Sequence, residues 1–108
     1  MSTSRLEQLQ NFLNENPQDP FNLYALALEY LSMDLPKAQE YFEILLSQYE
    51  DYVPAYYHAA QLYMNLENTE KARTVLEKGI AKSEILGDTH ALKELKKAYQ
   101  QFLWEENL

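Results

Sequence analysis

The chain has 108 residues, a formal net charge of −8 and a hydrophobic fraction of 46%, which fits a single domain spanning 1–108 with a core of its own. Two Gly, four Pro and no Cys argue against disorder or a β-sandwich and exclude disulfide and thiolate chemistry. Binding to nucleic acid rests on clustered Lys and Arg that displace counterions, so an acidic chain excludes it as the expected partner. No apolar run approaches the roughly 18 residues of a membrane span, and "MSTSRLEQLQNFLNENP" lacks the basic and apolar regions of a secretory signal, which makes the cytoplasm the expected compartment.

Ser4 followed by Glu7 forms a capping box that opens the first helix, with Leu6, Leu9, Phe12 and Leu13 on one apolar face. "ENPQDP" ends it, because Pro17 cannot continue a helix; Asp19 then caps a second helix that begins at Pro20 and runs to about Ser32. Asp34 and Pro36 start the third, which reaches about Tyr49 and carries Ala38, Phe42, Leu45 and Leu46 inward. After "YEDYVP" the fourth runs from about Pro54 to Asn65. "LENTE" turns the chain, with Asn68 or Thr69 as cap, into a fifth helix ending near Glu84. "LGD" separates it from the sixth, about Thr89 to Glu106, which uses Leu92, Leu95, Ala98, Tyr99 and Phe102. Links this short force sequential helices to pack antiparallel.

The chain also repeats. Ala38 in "PKAQEYFEILL" and Ala72 in "EKARTVLEKGI" lie 34 positions apart, and "LYALALEY" matches "YYHAAQLY" at an offset of 33. A helical period near 34 is the mark of a helix–turn–helix solenoid, whose units bury their apolar faces by stacking.

Leu23, Leu26, Ala27, Tyr30, Ala38, Phe42 and Leu45, followed by Tyr56, Ala59, Ala60, Tyr63, Ala72, Leu76 and Gly79, make the pattern resemble the tetratricopeptide repeat (TPR) family. The resemblance implies an all-α TPR-like solenoid of about six antiparallel helices: a half repeat carrying Leu9, Phe12 and Pro17, two full repeats, and a C-terminal capping helix that leaves the register. It also implies a protein-interaction module, a scaffold or adaptor, whose concave face is lined by the first helix of each repeat. On helix two that face carries Phe21, Tyr24, Leu28 and Leu31; on helix four it carries Tyr57, His58, Gln61 and Met64. Aromatic and Met-bearing stripes suit a partner peptide or helix. The alternative is that the terminal helices cover these stripes and make them core. Some relatives hold a chaperone peptide's terminal carboxylate with Lys and Asn, but the matching positions here are Tyr24, Leu28, Tyr57 and Gln61, which disfavours that ligand.

A second reading is structural: a homodimer or larger assembly built through the same groove or through Phe102–Trp104. Phe102, Leu103 and Trp104 are consecutive, so they cannot all face inward on one helix. Trp104 either anchors an interface or seals the last hairpin. Charge is uneven as well, with nine acidic and two basic residues in 1–54 against eight and seven in 55–108. Lys93, Lys96, Lys97, Lys78 and Lys82 form either a solvated face or a basic patch for head-to-tail self-association with the acidic front. No enzyme, metal or cofactor is expected. His90 and Glu94 at i, i+4 make only two ligands, His58 lies among tyrosines, and neither a phosphate loop nor an activated nucleophile is present.

Overall fold

A computed structural model describes residues 4–107 of the chain. They form α1 (Arg5–Glu15), α2 (Pro20–Tyr30), α3 (Leu35–Gln48), α4 (Pro54–Asn65), α5 (Thr69–Leu86) and α6 (Thr89–Glu105), with no strand among the described residues. The helix starts follow from side chains placed to satisfy orphan N–H groups. Ser4 accepts from the Glu7 N–H at 3.1 Å, Asp19 from Phe21 at 3.0 Å, Asp34 from Lys37 at 3.2 Å, Asn68 from Lys71 at 3.2 Å and Asp88 from Ala91 at 3.0 Å. Between the two candidates for the fifth helix, Asn68 is therefore the cap. Helix α4 has no side-chain cap and starts on Pro54, whose missing N–H removes one orphan.

The chain divides into two compact units, one up to Tyr52 and one from Val53. In the first, α2 packs on α3 and on α1. Its core holds Leu23, Leu26, Ala27, Ala38, Phe42 and Leu45, with Leu9 from α1. The expected apolar face of α1 is only partly inward: Leu9 is buried, Leu6 and Leu13 are half-buried, and Phe12 is 51% exposed. The cause is a grip that the spacing of apolar residues does not reveal. Buried Asn22 donates from Nδ2 to the carbonyls of Phe12 at 3.2 Å and Asn16 at 3.3 Å, fixing the end of α1 against α2. Leu46 of α3 is likewise half-buried rather than core.

In the second unit α5 packs between α4 and α6, and α4 also touches α6. Tyr56, Ala59, Ala60, Tyr63, Ala72 and Leu76 are buried, as are Leu95 and Phe102 of α6. Ala60 and Ala72 repeat the roles of Ala27 and Ala38, small residues that let paired helices approach. Gly79 extends that logic, since a Cβ there would lie 2.8 Å from the Tyr56 Cβ and 3.1 Å from the Leu95 Cδ1. Helix α5 runs two residues past Glu84 to Leu86 and stops on Gly87, whose φ of 71° is left-handed. The Asp88 N–H then closes back on the Ser83 carbonyl at 2.9 Å.

Candidate functional site

The four α4 residues singled out by spacing share one surface in the second unit. Tyr57, His58, Gln61 and Met64 form one wall of a groove of about 700 Å³. They lie opposite the helix face that carries buried Tyr56, Ala59 and Tyr63. All four are half-buried, so α6 flanks them rather than sealing them into core. The other wall is α6: Phe102 and Ala98 sit low, with Glu94, Lys97, Gln101 and Glu105 higher on the same side. Short turns make α4 and α6 both antiparallel to α5, so the two walls run in the same direction.

Chemically the groove offers two aromatic rings, an imidazole, a thioether, two primary amides and three charges. Gln61 and Gln101 stand on opposite walls, and each amide both donates and accepts, which suits the exposed main chain of an extended segment. The ring of Tyr57 lies edge-on to His58, with centroids 5.4 Å apart and planes at 85°. Burial pushes the His58 imidazole below its ordinary value, while the Glu94 carboxylate on the facing helix works against that shift. Glu94 also stands 4.0 Å from His90 Nε2 in an exposed i,i+4 pair. Among the described residues, no group of three or more His, Cys, Asp or Glu side chains is placed to hold a metal ion.

The α2 residues belong to the first unit. Phe21 is 57% exposed, whereas Tyr24, Leu28 and Leu31 are half-buried on the same face. Tyr24 packs on Tyr52 with ring centroids 5.5 Å apart, and Leu31 is the last turn, donating its N–H to the Leu28 carbonyl. At the other end of the chain Phe102 and Trp104 part company. Phe102 is 1% exposed and stacks beside Tyr99 at 6.4 Å, whereas Trp104 is 82% exposed. The α6 wall, Lys97 and Gln101 in particular, was not legible as a binding surface. Its signal was present in the spacing of Glu94, Ala98, Gln101 and Glu105, which flanks the inward Leu95 and Phe102.

Helical hairpins with alanines at the crossing points and a groove between parallel helices define an all-α helical-repeat protein. The tetratricopeptide repeat family model matches residues 30–83. The solution structure of a tetratricopeptide repeat domain protein from Salinibacter ruber is similar at 38% identity, covering 81% of this chain and 89% of that one, with a TM-score of 0.76. A crystal structure of a domain so described from the same organism matches at 37% identity, covering 79% and 96%, with a TM-score of 0.74. A Bordetella parapertussis protein shares the fold at 19% identity, covering 97% of this chain and 92% of its own, with a TM-score of 0.80. No curated protein matches the chain. The chain belongs to the tetratricopeptide repeat family, a generally non-catalytic fold that mediates protein–protein interaction. None of its described helices is long and apolar enough to cross a membrane.

Proposed function

We propose that this protein is a cytoplasmic scaffold or adaptor, acting as one domain over 1–108, which holds a peptide or helix of a partner protein between α4 and α6. The observation that carries the reading is the convergence of Tyr57, His58, Gln61 and Met64 on one groove facing α6. In this reading Tyr57 and Met64 supply apolar contact, Phe102 and Ala98 form the floor, and Gln61 and Gln101 pair with the partner's main chain. Phe21, Tyr24, Leu28 and Leu31 are the first unit's own contact face, with Phe21 offering the most exposed ring. No catalytic role is proposed.

The test begins with a peptide selected by display against the purified protein. Its affinity is then measured for the wild type and for Tyr57→Ala and Gln61→Ala. Loss of about tenfold or more in each variant, with helical content unchanged, supports the reading; that ratio corresponds to about 1.4 kcal/mol. Equal affinity in all three proteins overturns it.

A further inference from the structure

Two further surfaces are complementary, and they share only Lys97 with the groove of the second unit. The first is a cavity of about 470 Å³ in the first unit, walled by Leu13 and Asn14 of α1 with Pro17 just beyond it, and by Tyr41, Ile44 and Gln48 of α3 with Tyr49 at its end. No charged side chain lines it, although its unit holds nine acidic and two basic residues. Tyr41 is braced by a parallel stack on Tyr30, with centroids 5.8 Å apart and planes at 8°. Glu7 and Glu15 on α1 and Glu40 and Glu43 on α3 are exposed on the helices that build the walls. A bulky apolar group suits the cavity, and cations suit the acidic unit that holds it.

Helix α6 carries that combination. Lys93, Lys97, Gln100 and Trp104 recur at i, i+4, i+7 and i+11, the side directly opposite buried Leu95 and Phe102. Lys96 flanks the stripe, and all three lysines are exposed. Trp104 is exposed at one end, about 16 Å along the helix from Lys93. An exposed tryptophan beside a row of lysines is a good anchor for an acidic surface with an uncharged cavity.

We propose that the outer face of α6 in one copy docks on the first unit of a second copy. Trp104 enters the charge-free cavity, and Lys93, Lys96 and Lys97 meet the carboxylates of α1 and α3. The two halves of the contact are different surfaces, so the association is head-to-tail, closing as a ring or continuing as a filament. It goes beyond the groove reading and does not depend on it.

Trp104 is the single tryptophan, so its fluorescence reports its own seat. With rising concentration of the full chain, emission shifts to the blue, iodide quenching falls, and light scattering reports a mass above 12.7 kDa. Raising salt from low to molar concentration weakens the association by about tenfold or more, because the lysine contacts are screened. Trp104→Ala and Ile44→Glu each stay monomeric where the wild type associates. Mixed one to one, they form a heterodimer of twice the chain mass and stop there, since only one intact contact remains. Gln48→Lys, at the exposed rim of the cavity, replaces Ile44→Glu if circular dichroism shows that variant to be unfolded. A wild type that stays monomeric at millimolar concentration with fully quenchable Trp104 overturns the proposal. So does association that survives both variants, or a mixture that behaves as its separate components.

Discussion

Gly79 marks a close helix approach in the second unit, and its reason is a neighbour 23 residues away in sequence. The repeat pattern asks for a small residue there; only the coordinates show that even a methyl group meets Tyr56 and Leu95. Alanine is the better helix former by about 1 kcal/mol, but overpacking of this kind costs about 1–3 kcal/mol. Gly79→Ala is therefore expected to lower the urea midpoint with an unchanged m-value, and an equal or higher midpoint would contradict the packing account. His58 carries a second residue-scale expectation. Its folded value lies below the ordinary 6.5 because burial disfavours the imidazolium, so the unfolded chain binds more protons in the window between the two. Stability conferred by neutral His58 is thus full above about pH 6.5 and is lost as pH falls through the folded value. An NMR titration of the His58 ring should show a midpoint below 6.5, lowered further by Glu94→Gln, which removes the opposing carboxylate while Lys97 remains on the same wall. A midpoint at or above 6.5 would show that the groove wall is more open to water than described.

At the scale of elements, helix starts were legible because caps are local. Asp19, Asp34 and Asp88 bond to N–H groups two or three residues on, and the order of residues alone places them. Rotation of α1 was not, because Asn22 sets it through carbonyls on another helix, leaving Phe12 in water where an apolar face alone would bury it. The ends of α4 and α5 show a related limit. Both close with a bond across five residues, Asn68 N–H to Tyr63 O at 2.8 Å and Asp88 N–H to Ser83 O at 2.9 Å. The left-handed residue in the second turn is Gly87, but in the first it is Glu67 with φ 60°. A side chain in that conformation costs about 1 kcal/mol. Glu67→Gly is expected to stabilise the protein by up to about 1 kcal/mol, and Gly87→Ala to destabilise it by about 1 kcal/mol. Denaturation of the two variants in parallel checks the pair, and the same sign of change in both would refute the shared turn.

For the whole molecule, the all-helical class and the two hairpins α2–α3 and α4–α5 could be read from a repeat of about 34 residues, since the buried pair Ala27 and Ala38 recurs as Ala60 and Ala72. The family match likewise spans 30–83 and stops short of α6. That helix departs from the repeat register, which is why its inward residues were recognisable while its contribution to a groove was not. One half of the candidate site, Tyr57 to Met64, was therefore visible in the sequence, and the other half came from packing of α6 beside α4. The most direct measurement of the interaction claim is an NMR perturbation map of the labelled protein with the display-selected peptide, repeated on Ala98→Trp, which fills the groove floor. Shifts concentrated at Tyr57, His58, Gln61, Met64 and Gln101 are expected in the wild type, and their loss with at least about tenfold weaker binding in the filled variant. Shifts that fall elsewhere, or binding unchanged by Ala98→Trp, would contradict it.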